Sequence, residues 1–164
     1  EEHTPDDAYL TFTRENLAVM EDWFQDHPET KFEIFLSPYS ILAWDRSLRQ
    51  GDLDARMQAL GEACRALTRW PNVRLHAPLF AADMVTNLNN YCDYIHHSGE
   101  AGKWVLGNVC AEKFLLREGD VEKTLADWRD FVIHYDYDAL WDQDFWDQWY
   151  ETHDRPPDWY EEEG

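Results

Sequence analysis

The 164-residue chain carries 34 acidic and 14 basic side chains, a formal net charge of −20 at pH 7. That charge repels phosphate backbones and anionic lipid faces, so nucleic acid is not expected as a partner and neither is membrane contact by this segment. A hydrophobic content of 44%, with 15% aromatic residues, is enough for a core and weighs against disorder.

In chain order, Leu17, Met20 and Phe24 recur at helical spacing within residues 13–27, and Pro28 follows, which predicts an amphipathic helix. Residues 31–36 are short, β-rich and mostly apolar, and Ser37-Pro38 ends them as a buried parallel strand would end. A helix over about 40–49 closes at Gly51. Asp52 is placed to cap the next helix, whose Leu53, Met57, Leu60, Cys64 and Leu67 share a face until Trp70-Pro71 breaks it. Residues 73–76 read as a second strand.

Residues 77–97 have weak periodicity and several asparagines and read as a long loop. Ser98 caps a helix running to about Lys113, and Asp120 caps another with Val121, Leu125, Trp128 and Val132 on its inner face. Helix, strand, helix, strand is the order of an α/β chain in which helices cover parallel strands. The two strands are expected side by side, with one sheet edge left bare. No apolar run approaches the ~18 residues that span a bilayer.

We divide the sequence at residues 1–135 and 136–164. In the second part acidic residues alternate with Trp141, Phe145, Trp146, Trp149, Tyr150, Trp159 and Tyr160. Either this is a helical wrap packed on the domain or it is an acidic-aromatic tail awaiting a partner; tryptophans at this density favour packing.

The chemistry concentrates in the loop that runs from Asn87 to Ser98, with Asp93 and His96 at its centre. A carboxylate three residues before a histidine on a tight loop can accept the imidazole Nδ1 proton, fix the tautomer and leave Nε2 outward as a general base. The bland alternative is a carboxylate and imidazole paired for local order alone. A metal reading would gather Cys92, Asp93, His96, His97 and His76. Adjacent histidines seldom point at one ion, and the helical or paired-cysteine spacings of metal sites are missing, so no metal and no other cofactor is expected. Cys64, Cys92 and Cys110 are an odd set without C-x-x-C spacing, which suggests neither a disulfide framework nor a zinc ribbon.

Asp-x-x-His on a loop after a strand and before a helix resembles the SGNH/GDSL hydrolases. The closer resemblance is to bacterial cell-envelope SGNH-like esterases and acyltransferases. It is carried by Phe32-Glu33-Ile34-Phe35-Leu36-Ser37-Pro38-Tyr39, by Asn89-Asn90-Tyr91-Cys92-Asp93-Tyr94-Ile95-His96 and by His134-Tyr135-Asp136-Tyr137, and it covers about residues 13–140. It implies a partial flavodoxin-like three-layer α/β/α fold, with Asp93 as triad acid and His96 as triad base. It also implies an acyl ester or acylated glycan substrate and a cell-envelope or extracytoplasmic setting. Tyr39, Asn90 and Tyr91 are the candidate substrate-binding residues, although a tyrosine at a strand end is as often a packing residue.

The serine nucleophile of that family departs from the match. Ser37, Ser40, Ser47 and Ser98 lie in neither Gly-Asp-Ser nor a Gly-x-Ser-x-Gly elbow. The expectation is therefore the C-terminal part of an esterase or O-acyltransferase whose serine lies in an N-terminal portion of the same domain. The chain alone would then be inactive. The competing expectation is a non-catalytic binding module derived from the same fold.

Overall fold

A computed structural model describes residues 6–141. The chain divides into two units, Glu1–Ile133 and His134–Gly164. The aromatic residues expected from Phe145 onward lie outside the described residues.

The first helix, α1 (Asp6–Asp26), starts earlier than the periodicity of residues 13–27 predicts. Leu17 and Phe24 are its buried positions, and Phe24 meets Phe32 and Trp70 edge-on at 4.9 and 5.7 Å. The first of these contacts seats the end of α1 against the start of β1 (Phe32–Phe35). Helix α2 (Ile41–Gln50) opens at Ser40 and closes where Gly51 takes a left-handed φ of 79°. There the Gly51 and Asp52 amides donate to the carbonyls of Leu48 and Ser47, a closure that needs a residue without a Cβ penalty at positive φ.

Helix α3 (Leu53–Thr68) buries Leu53, Met57, Cys64 and Leu67 as their spacing predicts. Asp52 precedes it, but its side chain does not cap the helix. Its carboxylate instead accepts the Tyr9 hydroxyl at 2.7 Å, fastening α1 to the α2–α3 corner.

Strand β2 (Val73–His76) pairs parallel with β1 in the register Phe32↔Val73 to Phe35↔His76. A third strand, β3 (Leu115–Leu116), pairs antiparallel with β2. The chain is thus a mixed α/β protein with a three-stranded mixed sheet in the order β1-β2-β3.

The third strand is absent from the sequence reading. The helix expected to reach Lys113 ends earlier, as α5 (Gly99–Cys110). Glu112 and Phe114 then adopt a left-handed φ of 56° and turn the chain into β3. Neither is a glycine or asparagine, so the turn carries no compositional mark. Long-range bonds hold it: Ala77 N–H donates to the Phe114 carbonyl at 2.8 Å, and His76 Nδ1 lies 2.9 Å from the Lys113 carbonyl. The other ring nitrogen of fully buried His76 is 2.7 Å from Glu33 Oε2 on β1. This imidazole therefore ties β1 and β2 to the turn that leads into β3.

Residues 77–97 are more ordered than a plain loop. They contain a 3-10 turn at Pro78–Phe80, the short helix α4 (Ala82–Thr86) and a 3-10 turn at Leu88–Asn90. The last helix, α6 (Val121–His134), buries Val121, Leu125, Trp128 and Val132 on the face its spacing predicts. Its Trp128 stands edge-on to Trp44 of α2 and to Phe80 at 5.7 and 5.5 Å. Within the second unit, the Tyr135 and Tyr137 rings meet edge-on at 5.0 Å ahead of a 3-10 turn at Asp138–Trp141. No helix among the described residues is long and apolar enough to cross a membrane.

Candidate functional site

The Asp93–His96 loop is a closed turn standing on α5. Ser98 caps that helix by accepting the Ala101 amide at 3.3 Å, as its position predicts. Tyr91 and His97 form an antiparallel bridge at the neck of the loop, Cys92 N–H donates to the His96 carbonyl at 2.8 Å, and Ser98 N–H donates to the Asn90 carbonyl at 2.7 Å. Residues 92–96 thus protrude as one tight turn.

Asp93 organises it. Its Oδ1 accepts the backbone N–H groups of Ile95 and His96 at 2.8 and 2.7 Å, while Oδ2 lies 2.6 Å from His96 Nδ1. A carboxylate is acceptor-only, so in neutral His96 the Nδ1 must carry the proton and Nε2 is left with its lone pair. Nε2 has no hydrogen-bond partner among the described residues, and the His96 side chain is 74% exposed.

The same three donors, the His96 amide foremost, then the His96 ring and the Ile95 amide, hold the Asp93 carboxyl down to about 2. An ordinary Asp titrates at about 3.9 when unfolded. A folded value below the unfolded one means that the turn's contribution to stability is complete above about pH 4 and is lost as pH falls through about 2. Asp93→Asn should therefore flatten the stability curve between about pH 4 and pH 2 relative to the parent chain. Urea midpoints measured at each pH check this, and an unchanged curve would show that Asp93 does not titrate as described.

His96 borders a cleft of ≈ 320 Å³ lined also by Ser37, Tyr39, Ile95 and His97. Ser37 and Tyr39 follow the carboxyl end of β1, where open α/β sheets hold their ligands. Tyr39 therefore lies with the dyad, and the Arg56 guanidinium stands over its ring at 5.4 Å. No hydrogen bond links the Ser37 hydroxyl to His96. His97, expected to be a structural or surface residue, is half-buried and its ring lies against Gly102 of α5 while also facing this cleft.

The other two candidate substrate-binding residues are placed elsewhere. Asn90 donates its amide to the Met84 carbonyl at 3.0 Å and lines a separate cleft of ≈ 330 Å³ with Asp83, Met84, Glu100, Ala101 and Trp104. Tyr91 is buried in a cluster with Met84 and Ala101, and burial pushes its hydroxyl well above the ordinary tyrosine range. Both support the loop from beneath rather than facing the His96 cleft. Among the described residues no group of three or more His, Cys, Asp or Glu side chains is placed to hold a metal ion. His76 is committed to the sheet, Cys92 and Cys110 are exposed free thiols, and Cys64 is a buried one.

Two tethers escaped the sequence reading. The Ser40 hydroxyl donates to the Tyr94 carbonyl at 2.6 Å, and Arg46 donates to the Tyr94 hydroxyl at 2.8 Å. The partners are 54 and 48 residues apart, so no local pattern announces them. No family model, no curated protein and no solved structure matches the chain.

Proposed function

We propose that this chain contributes the acid and base of a serine esterase or O-acyltransferase acting on an acyl ester. In this reading it is the C-terminal part of an SGNH-type, flavodoxin-like three-layer domain. The observation that carries the reading is the 2.6 Å contact of Asp93 with His96 Nδ1, which leaves Nε2 unpartnered beside a cleft at the carboxyl end of β1. That is the orienting half of a hydrolase triad.

The nucleophile belongs to an N-terminal portion of the same domain. Two surfaces support a neighbour of that kind. Among the described residues β1 has β2 as its one strand neighbour, so its other edge offers unpaired backbone groups. Phe35 on that strand is 40% exposed, although residues 31–36 read as a buried strand. On α1, Phe12, Val19 and Trp23 are 64%, 57% and 59% exposed. Their spacing puts them on one helix face, away from the face that carries Arg14, Ala18 and Glu21 against α3. A further strand along β1 with its covering helix against α1 would bury both surfaces, as parallel sheets require.

In the assembled site the serine hydroxyl attacks the ester carbonyl while His96 Nε2 takes its proton and Asp93 stabilises the imidazolium. Collapse of the tetrahedral intermediate expels the alcohol, which receives that proton, and leaves an acyl-serine. Water or an acceptor hydroxyl, deprotonated by His96, then releases the acyl group. An acylated glycan of the cell envelope or the extracytoplasmic space is the substrate class that the resemblance supplies.

The test is a chromogenic acetyl-ester assay with and without a serine-directed phosphonate. It is run on this chain and on the chain joined to its serine-bearing portion. We expect the chain alone to show only weak imidazole-type cleavage without a covalent burst, and the joined protein to turn over and be blocked. Phosphonate-sensitive turnover by the chain alone, abolished by Ser37→Ala, would overturn the assignment of the nucleophile. Inactivity of a joined protein that contains Gly-Asp-Ser would favour a binding module.

A further inference from the structure

Ser40 occupies the N-cap of α2, where a serine ordinarily satisfies a free amide of the first turn. It does not cap the helix. The side chain is buried, and its hydroxyl reaches across to the Tyr94 carbonyl at 2.6 Å. Tyr94 lies inside the turn defined by Asp93 and His96. At its other end the Tyr94 hydroxyl accepts from Arg46 Nη1 at 2.8 Å, and the Arg46 guanidinium stands over the ring at 5.5 Å. Ser40 and Arg46 sit near the start and the middle of one helix, so α2 grips a single residue of the site loop at its backbone and at its side-chain tip.

The consequence is geometric. His96 is mostly exposed and protein packing does little to fix its ring, so its direction depends on the turn that carries it. Asp93 closes that turn on itself through three hydrogen bonds, but all three lie within residues 93–96 of an exposed loop, so without an anchor outside the turn they open to water far more often. Two long-range bonds tie the turn to α2, and both run through Tyr94. We propose that Ser40 and Arg46 are positioning residues that clamp Tyr94 and so hold the Asp93–His96 pair over the cleft bounded by Ser37 and Tyr39. The catalytic meaning of the clamp rests on the esterase reading, but its physical existence does not, and the experiment separates the two.

The measurement is NMR of the full 164-residue chain, comparing the parent with Ser40→Ala, Ser40→Thr, Tyr94→Phe and Arg46→Met. Imidazole nitrogen shifts report the tautomer of neutral His96, amide exchange reports the Ile95 and His96 N–H groups, and the carboxyl carbon reports the Asp93 titration. Helix α2 amides serve as an internal control for folding. The parent should show the Nδ1–H tautomer and an Asp93 midpoint of about 2. Ser40→Ala should mix the tautomers, speed exchange of the two amides at least tenfold and move the Asp93 midpoint toward the ordinary value of about 3.9. The α2 amides should stay protected, because Ser40 does not cap that helix.

Ser40→Thr keeps the hydroxyl and should restore the parent signals. Tyr94→Phe and Arg46→Met alter exposed groups that the fold does not need, so they report on the clamp even if Ser40→Ala fails to fold. Each should give a smaller change in the same direction. Parent-like tautomer, exchange and titration in Tyr94→Phe and Arg46→Met, and in Ser40→Ala where it folds, would overturn the clamp. A clamp verified in this way beside a joined protein without esterase activity would remove the esterase reading and leave the clamp standing.

Discussion

Asp93→Asn in the joined, serine-bearing protein is expected to lower kcat on the order of 10⁴-fold with little change in KM. The substitution is nearly isosteric, and the asparagine carbonyl can still accept the Ile95 and His96 amides that Asp93 Oδ1 now accepts at 2.8 and 2.7 Å. The turn should therefore persist. What changes is the atom facing His96 Nδ1, because an amide NH₂ donates where the carboxylate accepted. Nδ1 must then act as an acceptor, the imidazole proton moves to Nε2, and the nitrogen beside the cleft can no longer take a proton from serine. The imidazolium formed later in the cycle also loses its counter-charge. His96→Ala should cost at least as much, since it removes the base itself. A loss below about tenfold for Asp93→Asn, with the turn shown intact by amide exchange, would mean that Asp93 orders the loop without orienting a catalytic base.

How much of this was legible in the sequence follows the range of the interactions. The faces of α3 and α6 and the closure of α2 at Gly51 were readable because each depends on residues within a turn or two. Ser98 as the cap of α5 and Asp93 beside His96 are local in the same sense, and the strands β1 and β2 needed only short apolar runs. What was not legible depends on distant partners. Strand β3 exists because Glu112 and Phe114 take left-handed backbone conformations that His76 and Ala77 hold in place from the neighbouring strand. Tyr91 was a candidate substrate-binding residue, but its ring is buried against Met84 and Ala101, which come from elements on either side of the loop. Nothing near Ser40 in the sequence points to Tyr94, and only the folded chain brings the Tyr94 carbonyl within its reach. The site residues announced themselves by chemistry, while the residues that aim them did not.

The scaffold behind that aim should be most sensitive at Trp44, where Trp44→Ala is expected to destabilise the fold by about 3–5 kcal/mol. Trp44 lies on α2 between Ser40 and Arg46 and is 1% exposed, edge-on to Trp128 at 5.7 Å, with the Arg56 guanidinium over its ring at 4.1 Å. Truncation leaves a cavity among α2, α3 and α6 and takes from Arg56 the nearer of its two aromatic faces, leaving that of Tyr39 at 5.4 Å. The guanidinium would keep its bonds to the Ala43 carbonyl and the Ser47 hydroxyl. The indole Nε1 has no hydrogen-bond partner among the described residues, so the loss is one of packing and cation–π contact rather than of a polar bond. Trp44→Phe should accordingly cost much less, about 1–2 kcal/mol, because it keeps a ring against Trp128 and Arg56 and removes a buried N–H that has no partner among the described residues. Urea unfolding of the three chains gives the comparison, with an unchanged m-value as the sign that the native state alone was altered. Equal losses for Phe and Ala would show that the indole N–H or the full width of the ring matters more than the contacts named here. A loss below about 1 kcal/mol for Trp44→Ala would mean that α2 is not anchored through this residue.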